Sequence, residues 1–435
     1  MFRGYLRWIV VSLVAIATVI NYIDRNALAI MWPAISEDLG MDLNDYALIV
    51  SFFMVGYAVG HSLFGKIFDM IGTRLGFVLA IVVWSISIML HAATRSVLSL
   101  GLVRSMLGVS EAGNWPGATK SNAEWFPIKE RALAQGIFNS GASVGAIVSA
   151  PVIALLYLQF GWQGTFIAVG LLGFLWLVPW LFVYKAPPER HPWLSDEERE
   201  YILSGQKTEK LSEEDSEQAA PGWGEMLRYR QSWAVISSRF FLDPVWWLFV
   251  SWLPIYLADR FGFDIAQIGL FAWVPYVGAA LGAIFGGWLA GKLIKTGWSV
   301  NAARKLTITL GGAIMMPMLI ATAFASTPLT AVLLIAVILF GFQFAIGNIQ
   351  TLPSDFFAGK SVGSLAGVGG TAAVVGVLIT TWMVPAITQE SYVPFFLLGA
   401  MLVPLAVASV WIFGGRIEPV TSAPHAASPE AEAAG

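Results

Sequence analysis

The sequence predicts an all-α polytopic membrane protein, with twelve transmembrane helices in two six-helix halves and both termini in the cytoplasm. Three observations carry this expectation. Of the 435 residues, 57% are hydrophobic and only 12% are charged, about half the charge of an average soluble protein. Apolar runs of about twenty residues follow one another along most of the chain, each long enough to cross a hydrocarbon core of about 30 Å as a helix. The 25 basic and 28 acidic residues fall mainly between those runs. This pattern excludes a soluble enzyme, a nucleic-acid binder and a disordered scaffold. A porin-type barrel is excluded too, because its strands are short and alternate in polarity.

Breaks in the apolar pattern place the spans at 8–34, 46–67, 75–94, 97–119, 132–157, 162–184, 232–257, 266–290, 304–325, 328–352, 361–388 and 392–414. The first is expected to stay uncleaved. Ala27-Leu28-Ala29 mimics a signal-peptidase site, but Asp24 and Arg25 interrupt the run, which is also too long for a signal peptide. With the N-terminus inside, the inside segments hold twenty Lys and Arg residues, whereas the outside connections hold only Arg95 and Arg260. That bias orients both termini toward the cytoplasm. Two halves, 1–184 and 232–416, are then joined by a polar linker at 185–231. Within the linker, Ser195 and Glu198 read as a capping box on a short helix that ends at Gly205. The rest of the linker is expected to be solvated, and the tail 417–435, rich in Ala, Pro, Ser and Glu, to be disordered. Basic, glycine-anchored turns recur after span two (Gly65 to Arg74) and span eight (Gly287 to Gly297), as parallel repeats about the membrane normal would produce.

The turn Gly65-x-x-x-Asp69-x-x-Gly72-x-Arg74 resembles the signature loop of the major facilitator superfamily. Further matches are Tyr22-Ile23-Asp24-Arg25-Asn26, Arg104-x-x-x-Gly108-x-x-Glu111 with Pro116, and Glu124-Trp125-Phe126-Pro127-x-x-Glu130-Arg131. Together they are similar to the anion:cation symporter family, which includes bacterial hexuronate and galactonate transporters and vesicular glutamate transporters. Arg239-Phe240-x-x-Asp243-Pro244-x-Trp246, Phe271-Ala272-Trp273-x-Pro275 and Asp196-Glu197-Glu198-Arg199 resemble the hexuronate branch. The resemblance covers about residues 5–415 and implies the major facilitator fold.

Six charges fall well inside the predicted spans: Asp24, Arg25, Arg104, Glu111, Arg239 and Asp243. Each costs at least about 2.5–3.5 kcal/mol at mid-bilayer and needs a partner or a wet cavity. Asp24 and Arg25 lie about 24–26 Å along span one and Glu111 about 21 Å into span four, so their depths overlap. Arg104 and Glu111 share a face but stand about 10 Å apart along it, which leaves each for another helix or a ligand. Arg25 and Arg104 suit a substrate carboxylate, because guanidinium grips carboxylate through paired hydrogen bonds. Asp24 and Glu111 suit proton coupling, since burial favours a neutral carboxyl and a neighbouring arginine favours a charged one. A static ion-pair network is the competing reading. The resemblance implies proton coupling and anion binding for Asp24, Arg25 and Glu111, and a place in the substrate cavity for Tyr57. Arg239 and Asp243, four residues apart, form either a local pair or part of the substrate site. Trp246 and Trp247 offer a surface for a sugar ring, while Asn348, Gln350 and Thr371 offer hydrogen bonds to hydroxyls or between helices. His61 reads as a packed histidine, and Gly136, Gly141 and Gly145 read as close helix packing. Asp69 and Arg74 read as a cytoplasmic latch that gates access.

The expected function is a proton-coupled symporter that imports a sugar-acid anion, a hexuronate, by alternating access at the bacterial inner membrane. A uniporter or exchanger of another organic anion, such as an aldonate or dicarboxylate, is the alternative, and a membrane sensor is a weaker one. No catalytic constellation and no G-x-x-x-x-G-K-[ST] loop is present, so neither an enzyme nor an ATP-driven pump is expected. With no cysteine and four well-separated histidines, no metal site is expected. The proton is the expected coupling ion, with no other cofactor. The expected partners are the sugar acid, protons and the lipid bilayer, and the chain is expected to be a monomer without affinity for nucleic acid.

Overall fold

The computed structural model describes residues 5–204, 223–357 and 360–420, and the regular secondary structure among them is helical. Helix α1 (Leu6–Leu39) is span one. Helix α2 (Leu43–Leu90) carries spans two and three about Gly72, whose φ of 79° favours glycine. After a 3-10 turn at His91–Ala93, span four is made of α3 (Val97–Glu111) and α4 (Asn114–Trp125). Helix α5 (Ile128–Val183) carries spans five and six about Gly161, where φ is 66°. A 3-10 turn (Pro188–Arg190), α6 (196–204) and α7 (Trp223–Met226) belong to the connection. The second half follows with α8 (Arg230–Phe261), α9 (Ile265–Phe271) and α10 (Val274–Lys295), which together form spans seven and eight. Helices α11 (Val300–Ala323), α12 (Pro328–Phe356), α13 (Lys360–Ile387) and α14 (Val393–Gly414) complete it. Among the described residues, ten helical stretches are long and apolar enough to cross a membrane. Helix α5 has length for two spans, and the α3–α4 pair supplies the twelfth. The expected stop at Gly205, the residues Arg3, Lys207 and Lys210, and the tail from 421 lie outside the described residues.

Spans four and eight are each broken, and one cause serves both. Proline has no N–H to donate to the carbonyl four residues back. Pro116 therefore leaves the carbonyl of Ala112 without its helical partner, and the chain turns between α3 and α4 there. Pro275 does the same to Phe271, the last residue of α9. The first break falls just after Glu111, so that acid sits at a loosened point of span four.

Glycines set how closely the helices approach. A Cβ at Gly56 or Gly60 of α2 would lie 2.3 Å and 2.2 Å from the carbonyl oxygens of Ser105 and Val109 in α3. The second half repeats the device: at Gly278 and Gly282 of α10 a Cβ would lie 2.0 Å and 2.1 Å from the carbonyl oxygens of Ala336 and Phe340 in α12. Gly141 and Gly145 of α5 press on α1 in the same way, whereas Gly136 faces open space. Between the halves, α1 meets α8, α2 meets α13 and α5 meets α9. Among the described residues, the hydrogen bonds that join them, Tyr46 Oη to the Ser251 carbonyl (2.5 Å) and Trp382 Nε1 to Ser51 Oγ (2.8 Å), lie toward the end of the bundle away from the N-terminus.

The first part of the inter-half connection is docked rather than solvated. Ser195 Oγ accepts the amide of Glu198, as the capping pattern requires, while the Glu198 carboxylate takes Arg7 at 2.7 Å. Arg7 also pairs with Glu130 at 2.9 Å, which ties α1, α5 and α6 together. Leu194 and Ile202 are buried against this corner. His191 is held below its ordinary pKa by burial, and its neutral ring donates from Nε2 to the Val183 carbonyl at 2.9 Å. The Glu124 carboxylate accepts from Thr73 and Tyr184, which pins the turn after span two to the end of span six.

The glycine contacts give a direct test. Gly282→Ala forces a methyl into the Phe340 backbone and costs about 1–3 kcal/mol, whereas Gly136→Ala enters open space and gains up to about 1 kcal/mol in helix propensity. Thermal unfolding in one detergent should place the midpoint of the first below that of the second. Equal midpoints would contradict the packing described.

Candidate functional site

The site is built on the middle of α1. The Arg25 Nε donates to Glu111 Oε2 at 3.2 Å, and one Nη donates to Asn21 Oδ1 at 3.0 Å. Asn21, one turn earlier on the same face, donates its own amide to the Glu111 backbone carbonyl at 3.3 Å. That carbonyl belongs to the segment loosened by Pro116. Four rings surround the guanidinium: its carbon lies 5.0 Å from the Tyr22 ring, 4.9 Å from Tyr57, 5.6 Å from Phe53 and 5.6 Å from Trp247. Each such contact adds about 0.5–2 kcal/mol for a cation and excludes water from the pair. The Arg25 and Glu111 side chains are only 6% and 0% exposed. A charge pair so dry is costly to break by removing one partner, on the order of 3–5 kcal/mol.

The pair does not close into a complete network. Arg104 reaches the Arg25 carbonyl through one Nη at 3.5 Å, a long bond, while its Nε and other Nη have no hydrogen-bond partner among the described residues. Both oxygens of Asp24 and the second oxygen of Glu111 are in the same condition. Asp24 lies in the field of Glu111 and Arg104. Unmet buried polar atoms cost about 1–3 kcal/mol each, and more when charged. A scaffold evolved only to hold helices together would satisfy them. This one keeps donors and carboxylates in reserve beside a cavity lined by Arg25, Tyr46, Phe53, Arg104, Trp247 and Ser251. Tyr46 and Ser251, bonded to each other, roof the cavity at the far end.

Helix α8 supplies the opposite wall. Trp247 and Ser251 line the cavity, and Arg239 and Asp243 precede them at four-residue intervals along a stripe that drifts by about 40° per step. Arg239 Nε donates to Asp243 Oδ2 at 2.9 Å. Trp246, one residue round the helix, turns inward instead. It stacks on Phe342 at 5.4 Å and meets Tyr276 edge-on at 5.9 Å, inside the second half. The tryptophan that meets Arg25 is therefore Trp247.

The remaining sequence candidates are spread out. Asn348 accepts from Arg304 at 3.0 Å and donates to the carbonyls of Phe344 and Gly286, in a knot of α10, α11 and α12 that Asp355 completes. Gln350 and Thr371 are exposed, and the Thr371 hydroxyl donates to the Gly367 carbonyl one turn back. His61 is exposed, with its ring against Tyr57 at 4.8 Å. Asp69 pairs with Lys120 at 2.8 Å, and Arg74 donates to the Leu181 carbonyl, so these two residues fasten different neighbours. The structure thus brings Asp24, Arg25, Tyr57, Arg104 and Glu111 together, with Arg239 and Asp243 on the facing helix. Sequence reasoning missed Asn21, Tyr22 and Tyr46, and placed Trp246 and Trp247 together without separating their faces. Two of these carried a signal in their spacing: Asn21 lies four residues before Arg25, and Trp247 four after Asp243.

The family model of the Major Facilitator Superfamily matches residues 14–381. The chain is similar to the hexuronate transporter of Escherichia coli (strain K12), 32% identical over 410 residues that cover 93% of each protein. It is also similar to the galacturonate transporter of Dickeya chrysanthemi, 35% identical over 313 residues, 72% of this chain and 89% of that one. Among solved structures, an inward-facing, occupied bacterial homolog of the human lysosomal transporter Spinster matches with a TM-score of 0.70 at 17% identity, covering 94% of this chain and 95% of that one. That likeness is one of fold.

Proposed function

The chain belongs to the major facilitator superfamily, and we propose that it is a proton-coupled symporter that imports a sugar-acid monoanion, a hexuronate, across a bacterial inner membrane as a monomer. The single observation that carries the reading is the dry Arg25–Glu111 pair at the boundary between the halves, with Asp24 and Arg104 unmet beside it. The names of the hexuronate and galacturonate relatives support the substrate class. The excess of basic residues on one set of connections supports cytoplasmic termini. Far-end contacts between the halves support a cavity that opens toward the cytoplasm in this conformation.

In the proposed cycle the substrate carboxylate displaces Glu111 from Arg25, because both compete for the same guanidinium donors. Glu111, left without its bonded guanidinium in a water-poor site, takes a proton rather than remain an unpaired buried anion. Asp24, close enough to feel Glu111, is the second proton carrier. The trade leaves substrate and proton bound together in a site whose charge balance matches the empty pair. Rocking of the halves then moves the site between the two faces of the membrane. Aromatic walls from Tyr22, Tyr57 and Trp247 would lie against the apolar face of the sugar ring. Asp69 and Arg74 would act at the cytoplasmic end as fasteners of one state.

Two outcomes follow for purified protein. Arg25→Ala should bind galacturonate about a hundredfold more weakly or worse, given a loss of about 3–5 kcal/mol, and Arg25→Lys should recover little because an ammonium lacks the planar fork. Near-normal affinity in a folded Arg25→Ala protein would remove the anion site from Arg25. In proteoliposomes, Glu111→Gln should still exchange labelled for unlabelled galacturonate yet fail to concentrate it under an imposed pH gradient, with Asp24→Asn showing a milder form of the same defect. Gradient-driven accumulation by Glu111→Gln equal to the parent's would leave Glu111 a structural residue only.

A further inference from the structure

The Arg239–Asp243 pair stands on α8 one and two turns before Trp247, the residue through which this helix lines the cavity beside Arg25. It lies on the α8 stripe that continues to Trp247, whose ring is 5.6 Å from the Arg25 guanidinium, and to Ser251 in the cavity roof. The pair is not sealed: the Arg239 and Asp243 side chains keep 20% and 11% of their exposure. Helix α13 makes room for the guanidinium with glycines, since a Cβ at Gly369 would lie 3.3 Å from Arg239 Cδ and one at Gly370 3.6 Å from a terminal guanidinium nitrogen.

Distance along α8 gives the pair a chemical meaning. Arg239 reaches one turn forward to Asp243, so its charge lies about one turn, roughly 6 Å, from the level of Trp247. Five C–C bonds of about 1.5 Å, drawn out at tetrahedral angles, also separate the two ends of a six-carbon acid by about 6 Å. A six-carbon acid held by one carboxylate on Arg25 would bring its other end near Arg239. There it meets a guanidinium whose Nε is already taken by a carboxylate of the protein.

We propose that Asp243 sets the charge selectivity of the site, acting as a built-in carboxylate where the second carboxylate of an aldaric acid would bind. An acid with an aldehyde, hemiacetal or hydroxyl at that end adds no charge and fits beside the intact pair. A diacid must displace Asp243 from Arg239 and place a second anion next to it, so that two carboxylates compete for one guanidinium. The site therefore selects monocarboxylate sugar acids over dicarboxylate ones of the same length. This inference rests on the sugar-acid reading and narrows it.

Binding of galacturonate and galactarate to the purified full-length chain, measured by calorimetry, tests it. The parent should prefer galacturonate by about tenfold or more. Asp243→Asn, which keeps the shape and removes the charge, should shift that ratio toward galactarate by at least about tenfold, because Arg239 then offers an unpaired fork to the second carboxylate. Asp243→Ser supplies the same arm if the amide is not tolerated. The double variant Arg239→Gln with Asp243→Asn should lose the gain. A parent that binds both acids equally, an unchanged ratio in the Asp243 variants, or a gain that persists in the double variant would each overturn the inference. A parent that binds neither acid would overturn the sugar-acid reading itself, and this inference with it. Galacturonate binding with an unmoved ratio would overturn this inference alone.

Discussion

A guanidinium cannot shed its proton to escape an apolar environment, as a carboxyl can, so Arg25 in the middle of α1 must keep a partner in every state of the protein. At mid-bilayer the cost of an unpartnered cation is several kcal/mol, and the pairing with Glu111 meets that constraint in this conformation. Much of the surrounding architecture follows from keeping the pair together and dry. Asn21 holds both partners from one turn away. Pro116 loosens span four just where the acid sits, and the rings of Tyr22, Tyr57 and Trp247 keep bulk water from the pair. A second anion that offers the same two oxygens is then the natural competitor for Arg25. The protein can release Glu111 only if something neutralises it.

That exchange is useful for transport only if the halves move as units, and the helix contacts fit such motion. Glycine-to-carbonyl approaches lock α2 to α3 in one half and α10 to α12 in the other, at distances that admit no side chain. Between the halves, among the described residues, one close glycine approach occurs, Gly269 of α9 against Ala154 of α5, and the other contacts include two side-chain hydrogen bonds and a cluster formed by Trp32, Tyr46 and Trp252 at one end. Hydrogen bonds of that type cost little to trade for others, whereas the paired glycine seams within each half do not. Arg7, bridging Glu130 and Glu198, fastens the start of the connecting segment to the first half. That part of the connection therefore travels with the first half.

The fold was legible because a bilayer leaves few choices: long apolar runs must be helices, and charges must collect between them. All twelve spans emerged within a few residues. The convergence of Arg25, Arg104 and Glu111 on one another was legible for the same reason, since charges that deep have nowhere else to go. What the sequence concealed was the facing of residues that pay no such penalty. Trp246 and Trp247 are equally apolar, and only the phase set by Asp243 separates the one packed on Phe342 from the one beside Arg25. Asn348 is polar and deep, as a ligand residue would be, yet it is engaged by Arg304 on a neighbouring helix. The docked start of the connection was hidden because Leu194 and Ile202 are too few to read as a buried face.

The central claim is that an anion takes Arg25 from Glu111 and that a proton takes its place. The most direct measurement is proton uptake when galacturonate is added to purified protein in weakly buffered detergent solution near neutral pH, followed with a pH indicator alongside ligand occupancy. The account predicts about one proton taken from solution for each galacturonate bound, as linkage between the two ligands requires, and a Glu111→Gln protein that binds galacturonate with no uptake. Saturating binding without proton uptake by the parent, or the same uptake by the Glu111→Gln variant, would contradict it.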